Sequence, residues 1–92
     1  MKIFITGIAG FIGFHLAKVL KARGDVVIGC DNFNAYYDPE LKKKRAQILL
    51  QDDIHVLNID ICHSSLIENV VSENGITHFV HLAAHAGVRH SL

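Results

Sequence analysis

In the stretch ITGIAGFIGFHLA (5–17), Gly7, Gly10 and Gly13 recur at intervals of three, between an apolar run and a helical pattern. That spacing suits a backbone shaped to receive a phosphate. Gly7 permits a tight turn out of a strand, Gly10 lets a pyrophosphate approach without meeting a side chain, and Gly13 allows the following helix to pack closely on the sheet. The N–H groups opening that helix, at the positive end of its dipole, then face the anion. The competing reading of the three glycines is a structural turn in a flavodoxin-like fold.

Asp31 lies 18 residues beyond Gly13, close to the roughly 20 expected of the acid that holds the adenosine ribose hydroxyls. A carboxylate there accepts two hydrogen bonds from a diol and repels a 2′-phosphate. No Arg or Lys follows closely enough to reverse the preference, so the expected cofactor is NAD and not NADP. The alternative for Asp31 is a solvated turn acid. Asp60, after a third apolar run, can accept from the adenine amino group while Ile61 donates its backbone N–H, or it can serve as a local cap.

The elements that must position these groups are legible in the hydrophobic pattern. Lys2–Thr6 is a short apolar run of the kind found in strands buried on both faces. From Phe11 the period becomes helical, with Ile12, Leu16, Val19 and Leu20 as the expected buried stripe and Gly24 as the stop. Val26–Cys30 is a second strand leading into Asp31, and 32–38 reads as a loop. Pro39 opens a helix to about Leu50, Ile54–Ile59 is a third strand, and Ser65 with Glu68 forms a capping box for a helix carrying Leu66, Ile67, Val70 and Val71. Asn74-Gly75 ends it, and Ile76–Ala83 is a fourth strand. The expected fold class is α/β: a partial Rossmann fold, a doubly wound parallel sheet of strand order 3-2-1-4. Two helices should cover one face and a single helix the other. Residues 1–92 read as the N-terminal portion of an NAD-binding domain, with no substrate domain.

Composition narrows the function classes. Half of the 92 residues are hydrophobic and a fifth charged, with nine basic against nine acidic. A neutral, globular chain offers no broad basic footprint for nucleic acid and no pull toward an anionic membrane. Cys30 and Cys62 stand far apart, as in reduced cytosolic proteins. With no signal-peptide pattern and no long apolar run, a cytoplasmic location is expected. The seven histidines, His15, His55, His63, His78, His81, His85 and His90, show no ligand spacing, so no metal is expected. The run Lys42–Arg45 (KKKR) reads as a solvated helix face in preference to a nucleic-acid patch.

The pattern Thr-Gly-x-x-Gly-Phe-x-Gly (6–13) resembles the extended short-chain dehydrogenase/reductases, which include nucleotide-sugar epimerases and dehydratases. DNFNAYYDPELKKKRA (31–46) and HLAAHAGVRHSL (81–92) resemble the UDP-glucuronate 4-epimerase branch, with His85 and His90 standing where that branch has Gln and Tyr. The resemblance covers the whole chain but about the first third of such an enzyme. It implies that Gly7, Gly10, Phe11, Ile12 and Gly13 line the pyrophosphate. Asp31 and Asn32 would hold the adenosine, Asp60 and Ile61 the adenine, and Leu82, Ala83 and Ala84 the nicotinamide ribose. Val88, Arg89 and Ser91 would begin the wall facing a UDP-sugar, where a guanidinium suits phosphate or carboxylate.

Relatives of this kind move hydride between NAD and sugar C4, with a Tyr base and a Lys four residues later moving the proton. The tyrosines here are Tyr36 and Tyr37, followed four residues on by Glu40 and Leu41, so the chain holds no Tyr-x-x-x-Lys. No catalytic residue is assigned, and the chain itself is expected not to turn over. A homodimer is expected only of a complete fold. The alternatives are a non-catalytic NAD-binding module or sensor, and a truncated product.

Overall fold

The structure, a computed structural model, describes residues 1–32, 39–59 and 64–82. In chain order the elements are β1 (Lys2–Thr6), α1 (Phe11–Ala22), β2 (Val26–Asp31), α2 (Pro39–Gln51), β3 (His55–Asn58), α3 (Ser64–Asn74) and β4 (His78–His81). The strands form one parallel sheet of order β3-β2-β1-β4, as the pattern predicts. β1 is central, with Ile5 opposite Gly29 of β2 and Val80 of β4. Its residues from Ile3 to Thr6 are all buried, which explains why the run is apolar without alternation.

Alternate residues of the strands face different layers. Ile3, Ile5 and Val27 join Ile8, Ala17 of α1, Leu49 of α2 and Ile54 in the main core. On the opposite face Phe4 stacks on Phe79, with ring centroids 5.4 Å apart. There an open cleft of about 480 Å³ is lined by Thr6, Phe79 and His81 on one side and by Ile67, Glu68, Val71 and Ser72 of α3 on the other. Among the described residues, one face thus carries two helices and the other one.

Two local expectations are corrected. The α1 stripe is rotated: Ile12 and Val19 are 67% and 64% exposed, while Gly13 and Ala17 are buried and Phe14, Leu16 and Leu20 pack against the core. Gly13 sets this rotation. A Cβ there would lie 2.4 Å from the Gly7 carbonyl oxygen, so the helix turns its smallest residues toward the sheet and loses Ile12 and Val19 to the surface. At α3 the helix already includes Ser64, which leaves Ser65 inside the first turn and not ahead of it as a cap.

All three helices end in the same way. After α1, Gly24 (φ +99°) donates to the Lys21 carbonyl at 3.0 Å and Asp25 to that of Leu20 at 3.1 Å. After α3, Gly75 (φ +62°) reaches Ser72 at 3.4 Å and Ile76 reaches Val71 at 3.1 Å. After α2, Asp53 takes the left-handed position (φ +61°), and Ile54 donates to the Leu49 carbonyl at 2.9 Å. This reversal satisfies the last carbonyls and sends the chain straight into a strand.

Candidate dinucleotide site

The site is built at the carboxyl end of β1 and β2, where a parallel sheet presents its loops. Gly7 takes φ +71° and donates to the Cys30 carbonyl at 2.8 Å, with Ile8 sharing that acceptor at 3.2 Å. Gly10 donates back to the Gly7 carbonyl at 3.0 Å, and its own carbonyl receives Phe14 N–H at 2.9 Å, which starts α1. Gly10 has no side chain to cap the opening N–H groups of α1, and the first turn holds no acidic residue. The positive end of the helix therefore meets no side-chain anion of its own there.

Asp31 ends β2 beside this loop, buried, and its Oδ2 accepts the Ala9 N–H at 3.1 Å. The acid and the glycine loop are thus one hydrogen-bonded unit. Its other oxygen, Oδ1, accepts from Lys42 Nζ at 3.1 Å, across a side chain only 12% exposed. A lysine 11 residues further along the chain thus pairs with the acid, a contact that spacing along the sequence does not reveal. This corrects the reading of 42–45 as a solvated face. Lys43 and Lys44 are exposed, but Lys42 turns inward, and Arg45 donates to the Ala9 carbonyl at 3.3 Å with its guanidinium carbon 6.0 Å from the Phe11 ring centre. Positions 42 and 45 are three apart on a helix and so share a face, but which way that face turns is set by the packing of α2 against α1 and β3.

At the same end of β1, on its other flank, Thr6 Oγ1 accepts the Leu82 N–H at 3.0 Å and lies 2.9 Å from His81 Nδ1, while the Thr6 carbonyl also accepts Leu82 N–H at 3.1 Å. This ties the exit of β4 to the switch point, where order reverses on either side of β1. The structure therefore gathers Gly7, Gly10, Phe11, Ile12, Gly13, Asp31 and Asn32 around one loop, with Leu82 at the neighbouring strand end. Asp60, Ile61, Ala83, Ala84, Val88, Arg89 and Ser91 lie outside the described residues, as do Tyr36, Tyr37, His63, His85 and His90. Among the described residues no group of three or more His, Cys, Asp or Glu side chains converges as a metal site would require, and no helix is long and apolar enough to cross a membrane.

The arrangement fits a dinucleotide. Gly10 heads α1 without a capping side chain, which leaves the opening N–H groups for an anion, and the buried acid at the next strand end supplies acceptors for a diol.

Known proteins point the same way. The family profile described as GDP-mannose 4,6 dehydratase matches residues 4–92. UDP-glucuronate 4-epimerase 4 of Arabidopsis thaliana is 46% identical over 92 residues, which is 100% of this chain and 21% of that protein. Among solved structures, the UDP-glucuronic acid 4-epimerase of Bacillus cereus in complex with UDP-glucuronic acid and NAD is 37% identical, with a TM-score of 0.77 over 97% of this chain and 28% of its own. The Thermus thermophilus UDP-glucose 4-epimerase, solved with NAD, is 32% identical, with a TM-score of 0.68 over 94% of this chain and 25% of its own. The chain spans about a fifth of the length of the Arabidopsis epimerases it matches. By fold, by glycine loop and by these matches, the chain belongs to the GDP-mannose 4,6 dehydratase family, the nucleotide-sugar epimerases and dehydratases of the extended short-chain dehydrogenase/reductases.

Proposed function

We propose that residues 1–92 are the NAD-binding portion of a nucleotide-sugar 4-epimerase of the UDP-glucuronate type. One observation carries this reading: Asp31 is buried at the end of β2 with Oδ2 on the Ala9 N–H, which couples a ribose-binding acid to a phosphate-binding loop. Gly7, Gly10, Phe11, Ile12 and Gly13 receive the pyrophosphate, Asp31 and Asn32 the adenosine, and Leu82 the nicotinamide ribose. Asp60, Ile61, Ala83 and Ala84 complete the cofactor contacts, and Val88, Arg89 and Ser91 begin the wall facing the UDP-sugar, on the strength of the family likeness. When bound, NAD supplies the hydride acceptor for sugar C4.

The residues of this chain bind and orient the cofactor but do not move the proton. Neither Tyr36 nor Tyr37 is followed four residues later by Lys. These 92 residues alone therefore do not turn over UDP-glucuronate. In the complete family enzyme the partners are a UDP-uronic acid and a second subunit, and the setting is the cytoplasm.

Calorimetric titration of the purified chain with NAD, with circular dichroism on the same sample, tests the reading. Saturable binding that is lost in Asp31→Ala is expected, together with no conversion of UDP-glucuronate to its C4 epimer. A folded chain that takes up no NAD, or an Asp31→Ala variant that binds as well as the parent, overturns the assignment of the site.

A further inference from the structure

The run KKKR (42–45) has no role in the reading above, yet two of its four side chains converge on the site. Lys42 Nζ lies 3.1 Å from Asp31 Oδ1, and Arg45 reaches the Ala9 carbonyl at 3.3 Å while its guanidinium lies over Phe11. Ala9 is also the residue whose N–H binds Asp31 Oδ2. One cation from this face of α2 thus pairs with the carboxylate, and a second is held at the loop residue that the same carboxylate binds.

This changes the charge arithmetic at the ribose. A lone buried carboxylate would exclude a 2′-phosphate, which carries close to two negative charges at neutral pH. Here Lys42 compensates that carboxylate at contact distance and Arg45 stands at the same loop. A diol that donates to Asp31 would approach a carboxylate already held by the Lys42 ammonium, and a phosphate in its place would meet that ammonium.

We infer that Lys42, with Arg45 beside it, is a latent 2′-phosphate site at the adenosine ribose, and that Asp31 alone keeps it from taking NADP. Lys42 has two roles: it fixes the Asp31 carboxylate toward the diol, and it sets how strongly the phosphorylated cofactor is refused. The inference rests on the cofactor reading above and concerns the selectivity of that same site.

The test is calorimetric titration of the purified chain with NADH and with NADPH. The proteins are the parent, Asp31→Asn, Lys42→Met and the double variant, each checked for parental circular dichroism. Asp31→Asn retains a side-chain oxygen for the Ala9 N–H while removing the charge, so the loop keeps its anchor. The parent is expected to favour NADH. Asp31→Asn should raise NADPH affinity about tenfold or more, the scale of one charge pair in a partly buried setting. That gain should weaken with added salt and should vanish in the double variant. In the parent background, Lys42→Met should widen the preference for NADH over NADPH.

If Asp31→Asn still binds NADH but gains nothing toward NADPH, the inference fails. It fails equally if the gain survives removal of the lysine. Should Asp31→Asn lose its fold, the Lys42→Met ratio decides alone, and an unchanged ratio overturns the inference. A parent that binds neither dinucleotide removes the cofactor reading, and this inference with it.

Discussion

Gly10 and Gly13 tolerate different things although they belong to one motif. A Cβ on Gly10 would stand 3.2 Å from the Gly7 carbonyl oxygen, a tight contact that a small shift relieves. On Gly13 it would stand 2.4 Å from that oxygen and 2.9 Å from the Ile8 Cα, and both are backbone atoms. Gly13→Ala should therefore destabilise by about 1–3 kcal/mol, as overpacking does, with urea denaturation as the readout, whereas Gly10→Ala should cost less. At the opposite end of the sheet, the N-terminal ammonium of Met1 donates to Asp25 Oδ1 at 3.0 Å and Arg23 pairs with Oδ2 at 2.8 Å. The hydrogen bond from the ammonium holds the Asp25 carboxyl below its ordinary value of 3.8; burial opposes this and the Arg23 charge reinforces it. A carboxyl lowered on folding stabilises the native state fully above its unfolded pKa, and that contribution is lost as pH falls through the folded value. Thermal melts of the parent and Asp25→Asn should therefore differ at neutral pH and converge below about pH 4. At this scale the sequence shows the glycines and Asp31, since turn geometry and strand ends are local properties. It does not show Lys42, which reaches the acid only once α2 has folded back against α1 and β3.

Helix limits were legible where a glycine marks them, at Gly24 and Gly75. The end of α2, expected at about Leu50 and found at Gln51, was legible too, but its left-handed residue was not, because Asp53 carries no such mark. It occupies the left-handed region at φ +61° with a side chain that disfavours it, beside weak exposed pairings to Lys21 at 3.9 Å and His55 at 3.7 Å. Asp53→Gly should raise stability by about 0.5–1 kcal/mol, since the strain relieved exceeds what those surface pairs contribute. Guanidinium melts at two salt concentrations check this and separate the backbone effect from the charge effect. The face of α1 was misread for a related reason. Hydrophobic periodicity counts large side chains, whereas this helix approaches the sheet along its small ones, Gly13 and Ala17. The amphipathic pattern identified the helix and placed Leu16 and Leu20 correctly, but it assigned Ile12 and Val19 to the core when they are exposed.

For the molecule as a whole, strand order and the division of helices between faces followed from the βαβ succession, because parallel strands and short connections leave few topologies. The two faces are unequal. None of the described side chains of α3 is fully buried, and Leu66 and Phe79 are exposed, whereas β1 is buried from Ile3 to Thr6. Native-state hydrogen exchange should therefore release the amides of α3 and β4 well before those of β1 and β2. Uniform protection across the four segments would contradict this. The central place of β1 also matters in time. One flank of β1 pairs with β2, which follows it closely, and the other with β4, whose contacts to it span 75 residues of sequence. On a ribosome adding about 5–20 residues per second, the roughly fifty residues between the ends of β2 and β4 take about 3–10 s to appear. Throughout that interval the chain carries a half-laddered apolar strand with one open flank, and whatever shelters that flank governs how much newly made protein survives.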